Sequence, residues 1–232
     1  MRFLYILSLC FLYTIFTSCS SVKPSAGHWE TLFAGGSVDK FRGYQLEGFP
    51  SAWKVENGML KTVTGVQNVD LITKEKYKDF QLEFEWNALN GGNSGVFFHV
   101  QELAKQEAGN GNSANWLLNY EMQLLDDVNF SDKAPIRSAG SLYDLIEPKN
   151  KTLNTVGQFN SSRLIVKGND VEHWLNGKKV VEYELGSKEL TDLISKSKFK
   201  AIPQFGKSRD GYIQFQHHGQ EMWFRNIRIR RL

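Results

Sequence analysis

Glu121 and Gln123 carry the clearest chemical pattern in the chain, alternating with Tyr120, Met122 and Leu124 in the run from Asn119 to Asp127. Successive side chains of a strand point to opposite sides. This spacing therefore packs three apolar residues on one face and leaves a carboxylate beside an amide on the other. A second stretch repeats the arrangement, with Gln214, Gln216 and His218 on one parity and Ile213, Phe215 and His217 on the other. In a shared sheet the two polar faces pool a carboxylate, three amides and an imidazole. That mixture of donors and acceptors suits the hydroxyls of a sugar. An ordinary wet sheet face is the plainer alternative.

Further candidates surround this pair. His99 lies on the opposite parity from Val96, Phe98 and Val100, which predicts that it joins the same polar surface. His173 shares parity with Val171 and Leu175 and is expected in a partly buried structural role. Trp116, Tyr143 and Trp174 are candidates for the flat apolar platform that a sugar ring needs. Asp126 and Asp127 are placed to hold a divalent cation together with backbone oxygens, although solvated loop carboxylates are the simpler account. No His-x-x-x-His and no Cys cluster points to a transition metal.

The elements that must position these residues read as strands. Asn57-Gly58 and Asn176-Gly177 each separate two strand-like runs, which is the sequence of a tight hairpin. Phe80, Leu82, Phe84 and Trp86 alternate with Gln81, Glu83, Glu85 and Asn87, and Asn93 to Val100 follows after the turn Asn90-Gly91-Gly92. In the last strand Met222 and Phe224 differ in parity from Ile227 and Ile229, which predicts a one-residue bulge near Arg225-Asn226. Long loops over 101–118 and 126–141 bracket Glu121. One helix is expected over 187–199, with Ser187 as N-cap, Glu189 in its first turn and Leu190, Leu193 and Ile194 at helical spacing. Short alternating strands with one short helix argue for an all-β, two-sheet β-sandwich of jelly-roll type.

The first residues read as an address. Met1-Arg2 precedes an apolar run to Phe16, and Phe16-Thr17-Ser18-Cys19 resembles a bacterial lipobox. The expected organisation is a signal peptide over 1–18, a tether over 19–28 lipidated at Cys19, and one domain over 29–232. This predicts a protein of the bacterial cell envelope, held at a membrane on its periplasmic or outer-membrane face; Cys19→Ser should release it in membrane fractionation. Cleavage removes Cys10 and leaves no thiol for a disulfide, and the net charge falls from +3 to +2 with the loss of Arg2. The charges are scattered, so nothing marks a nucleic-acid partner.

Four segments then carry a resemblance: Asn93-Ser94-Gly95-Val96-Phe97-Phe98, Tyr120-Glu121-Met122-Gln123-Leu124-Leu125-Asp126, His173-Trp174-Leu175-Asn176-Gly177, and Gln216-His217-His218-Gly219 with Phe224-Arg225-Asn226-Ile227. In order and spacing they resemble the 3-keto-disaccharide hydrolase family, over about residues 29–232. The resemblance implies a concanavalin- or laminin-G-like jelly roll and cleavage of glycosides already oxidised at C3 by a separate sugar 3-dehydrogenase. It implies proton removal from C2, elimination at C1 and hydration. On this footing Glu121 and His218 are the catalytic candidates, and Gln123, Gln216, His99, Asn93 and Tyr143 the substrate-binding ones. Which residue is the base stays open. No cofactor is assigned with certainty; a divalent metal is admitted, with Asp126 the weak candidate ligand.

Two rival readings remain. Glu121-x-Gln123-x-x-Asp126 looks like the Glu-x-Asp-x-x-Glu strand of jelly-roll endo-glucanases, which use two carboxylates. A regular strand, however, places Glu121 and Asp126 on opposite faces, roughly 16 Å apart along the chain. The other reading is a lipid-anchored carbohydrate-binding module without catalysis.

Overall fold

The computed structural model describes residues 27–103 and 117–232. The signal peptide, Cys19 and Trp116 of the sequence reading lie outside them. In chain order the strands are β1 (Trp29–Phe33), β2 (Phe41–Gly43), β3 (Trp53–Glu56), β4 (Met59–Thr62), β5 (Leu71–Thr73), β6 (Phe80–Ala88) and β7 (Asn93–Val100). They continue with β8 (Glu121–Leu125), β9 (Asn160–Lys167), β10 (Asp170–Leu175) and β11 (Lys178–Glu184). The helix α1 (Lys188–Lys196) then precedes β12 (Tyr212–Phe215) and β13 (Met222–Arg231).

The strands form two antiparallel sheets. One runs β11-β10-β9-β6-β13-β4-β3, with β1 also paired to β13, and the other runs β2-β5-β12-β7-β8. Phe80, Leu82, Phe84, Trp86, Leu164, Phe224, Ile227 and Ile229 of the larger sheet meet Val96, Phe98, Met122, Leu124, Ile213 and Phe215 of the smaller one in a continuous buried core. Burying each such side chain is worth roughly 1.5–3 kcal/mol. The alternation read from the sequence thus becomes the interior of a jelly-roll sandwich with one short helix.

Local chemistry sets the turns. Asn57 and Gly58 have φ of 52° and 72°, and Asn176 and Gly177 have 47° and 80°. These left-handed pairs are what a two-residue hairpin matched to strand twist requires. The expected bulge in β13 is present: its register against β6 shifts between Arg225 and Arg228, and Asn226 has φ of 52°. Met222, Phe224, Ile227 and Ile229 all reach the core as a result. The Ser187 hydroxyl accepts from the Leu190 N–H and starts α1. The helix stops at Lys196, short of Phe199, because Ser197 is extended and its hydroxyl caps a separate 3-10 turn over Lys198–Ala201.

A bulge overturns the expectation for His99. The pairing of β12 with β7 shifts between Tyr212 and Gln214, and His99 takes φ of 57° at this irregularity. Parity therefore reverses. Val100 joins Tyr44, Ile72 and Phe97 on the outer face, while His99 turns inward against Phe80 and Phe98 and bonds the Lys78 carbonyl through Nε2 at 2.8 Å. Burial holds its pKa below the ordinary value. His99 is thus not part of the polar surface built around Glu121.

Candidate active site

The site is built on the outer face of the smaller sheet. Register aligns Ile72, Gln214, Phe97 and Glu121 in one row across β5, β12, β7 and β8. The next row holds Gln216, whose N–H donates to the Gly95 carbonyl at 2.9 Å, then Gly95, then Gln123. Glu121, Gln123 and Gln216 therefore face the same way, with the side-chain-free Gly95 between the two amides. The Glu121 carboxyl fills that gap: a Cβ on Gly95 would lie 1.9 Å from its Oε1. Gln123 is fixed by donating from Nε2 to Asn93 Oδ1 at 3.0 Å.

Glu121 is 5% exposed, and desolvation pushes its carboxyl up to about 8. The nearby charge of Lys198 opposes that rise, while Asp70 adds to it. Among the described residues no hydrogen bond to a protein donor ties down the Glu121 carboxyl, which leaves it available to a substrate. Lys198 donates to the Tyr143 hydroxyl at 3.0 Å, and its ammonium lies 4.1 Å from the Tyr143 ring centroid. Desolvation lowers the lysine, and burial, followed by the charge of Glu121, pushes the tyrosine up to about 12. Tyr143 is itself anchored to β8 by its N–H, which donates to the Glu121 carbonyl at 3.0 Å. Because its oxygen accepts from Lys198, its own hydrogen remains to be given elsewhere.

A second buried carboxyl supports this face. Asp70 accepts from Gln214 Nε2 at 2.8 Å and from the His217 N–H at 2.7 Å. Burial nevertheless raises it to about 7.

The family model described as a 3-keto-alpha-glucoside-1,2-lyase-like domain matches residues 28–230. The chain belongs to this family. A 3-keto-disaccharide hydrolase of Bacteroides thetaiotaomicron is 34% identical over 224 residues, covering 86% of this chain and 77% of its own. A crystal structure from Parabacteroides distasonis, described as a candidate glycosyl hydrolase, superposes with a TM-score of 0.78 at 30% identity, covering 88% of this chain and 94% of that one. The carbohydrate-binding module CBM66 of Bacillus subtilis shares the fold alone, with a TM-score of 0.50 at 10% identity and coverage of 84% and 96%. With its membership in the lyase-like family, the chain is a carbohydrate-active hydrolase.

Within this family member the sequence candidates separate. Glu121, Gln123, Asn93, Gln216 and Tyr143 belong to one surface. His218 lies beyond the end of β12, exposed at the rim, where Nδ1 meets Gln220 Oε1 at 2.9 Å and the ring edges Phe130. His173 is fully buried, bonded to the Gly140 carbonyl and lowered to about 4 by burial. Trp174 stands on the outer face of the other sheet, under Arg163 and bonded to Glu172, so it is no platform for this site.

Asp126 caps the turn after β8. Its oxygens accept from the N–H groups of Gly91, Val128 and Asn129 and from Asn129 Nδ2, an arrangement that spends its lone pairs and holds its pKa low despite desolvation. Its donor set does not fit a cation, and among the described residues no group of three or more His, Cys, Asp or Glu side chains gathers for one. The two-carboxylate pairing of Glu121 with Asp126 fails for the same reason.

Lys198, Asp70 and Gly95 escaped the sequence reading. Lys198 follows an amphipathic helix and looked like any surface lysine. Gly95 carried a signal, since a glycine inside an apolar strand marks a close approach. Its backbone accepts any residue, so Gly95→Ala should fold, yet the methyl must displace the Glu121 carboxyl. Activity is expected to fall about tenfold to a hundredfold, as for a misplacement near 1 Å. Unchanged kcat/KM in a folded Gly95→Ala enzyme would remove Glu121 from the chemistry.

Proposed function

We propose that the protein cleaves the glycosidic bond of 3-keto-glycosides, 3-keto-disaccharides among them, by elimination and hydration. The observation that carries this reading is the Glu121 carboxyl, desolvated to a pKa of about 8 over the Gly95 gap with a lysine and a tyrosine at its side. A ketone at C3 acidifies the C2 hydrogen. Glu121, as carboxylate, takes that proton; the electron pair forms an enolate whose charge rests on the C3 oxygen. The Lys198 ammonium and the Tyr143 hydroxyl are the donors for that oxygen. The enolate then expels the C1 oxygen substituent, which takes the proton held by Glu121 and leaves as an alcohol, restoring the carboxylate. Water adds to C1 of the enone and a proton returns to C2, so the net change is hydrolysis.

A base poised near neutrality is what such a step asks for. Gln123, held by Asn93, and Gln216 offer amides to the sugar hydroxyls. The substrate would be supplied by a separate sugar 3-dehydrogenase. An anchor at Cys19 would place the reaction at a membrane face of the bacterial envelope, as the lipobox resemblance suggests.

The mechanism is tested in heavy water. Elimination returns a solvent proton to C2, so the 3-keto sugar released should carry deuterium at C2 by NMR at the first time points. Direct displacement at C1 leaves the original hydrogen in place, and product without C2 deuterium would refute the elimination.

A further inference from the structure

A groove of about 540 Å³ runs on from Lys198, between the 3-10 turn Pro135–Arg137, the loop after Tyr143 and the end of α1. Ile136, Leu145 and Leu193 line it together with Arg137, Asp144 and Lys196. Its volume lies in the range of about 300–1,000 Å³ usual for ligand pockets.

Two features mark the groove. Leu190 seats α1 on the core and is 1% exposed, whereas Leu193, on the same apolar stripe, is 37% exposed and lines the groove. Asp144, the neighbour of Tyr143, takes φ of 60°, a costly conformation for a side-chain-bearing residue. It is held there by its N–H, which donates to the Ile136 carbonyl at 2.8 Å, and by Arg137 Nε on its carboxylate at 2.8 Å. Arg137 also binds Asp132, so its charge is already matched.

We infer that this groove is the subsite for the leaving half of the substrate and takes a second pyranose ring. The inference rests on the glycoside cleavage proposed above. A pyranose has an apolar C–H face and an edge of hydroxyls. The Ile136, Leu145 and Leu193 side chains are suited to the first, and Arg137, Asp144 and Lys196 to the second. Lys198 borders both the Glu121 carboxyl and the groove, so the ring beyond the reacting sugar has the groove beside it.

The test uses Leu193→Ala, whose exposed position spares the fold. KM for a 3-keto-disaccharide should rise about tenfold, as for lost apolar contact in a pocket, with kcat unchanged. KM for the corresponding methyl 3-keto-glycoside, which lacks the second ring, should not move. An equal change on both substrates, or on neither, overturns the subsite. If the wild type cleaves no 3-keto-glycoside, the proposed function fails by itself. The groove is then judged by methyl NMR of the wild type titrated with the unoxidised disaccharide. Shifts at Ile136 and Leu193 sustain it, and their absence overturns it.

Discussion

Glu121→Gln is expected to lower kcat/KM on a 3-keto-glycoside about a hundredfold to ten-thousandfold, the usual worth of a positioned general base. The amide keeps the shape of the side chain but cannot accept the C2 proton. Wild-type kcat/KM should rise with pH to about 8, where Glu121 becomes ionised, and the variant should lose that limb. Stability should move the other way. A carboxyl whose pKa is raised on folding contributes stability that is full below its unfolded pKa, about 4.5, and is lost as pH rises through about 8. Asp70, raised to about 7, behaves alike. Glu121→Gln should therefore match the wild type near pH 4 and exceed its melting temperature at pH 9. Near-full activity in the folded variant would move the base elsewhere, with His218 next in line; a variant less stable than wild type at pH 9 would contradict the buried carboxyl.

The second large effect is on the substrate side. The same disaccharide with an ordinary hydroxyl at C3 should be turned over at least about a thousandfold more slowly than its 3-keto form. Without the ketone no enolate forms, and the enzyme has only binding to offer. Product release from both, under matched concentrations, is the measurement. Equal cleavage of the unoxidised sugar would discard the elimination. It would also reopen a conventional hydrolysis, for which the face offers Glu121 and Asp70 but not Asp126, whose oxygens the turn already occupies.

Lys198 links the two expectations. Its charge favours the Glu121 carboxylate, so the position of the pH limb depends on a residue that lies outside the sheet altogether. The carbohydrate-binding reading needs no such arrangement: a binder is served by aromatic platforms, and Trp174 faces away from the site.

Period-two patterning in β6, β8, β12 and β13, Asn-Gly hairpins and the Ser187 cap were legible in the chain because each is a local rule. They settle the sandwich, the shared face of Glu121, Gln123 and Gln216, and even the β13 bulge, where a break in parity had to be absorbed for four apolar residues to reach the core. The His99 bulge left no such mark. His, Phe and Val are all tolerated on either face, so the register shift against β12 could be seen only once that strand was in place. The depth of Glu121 was equally invisible, since its desolvation comes from everything packed around β8. Asp70, Gly95 and Lys198 are distant from Glu121 along the chain and meet it only through strand pairing and the return of the segment after α1. Sequence alone determined which side chains point the same way. The tertiary structure decided which of them are dry, which carry a neighbour's charge, and therefore which one can act as a base.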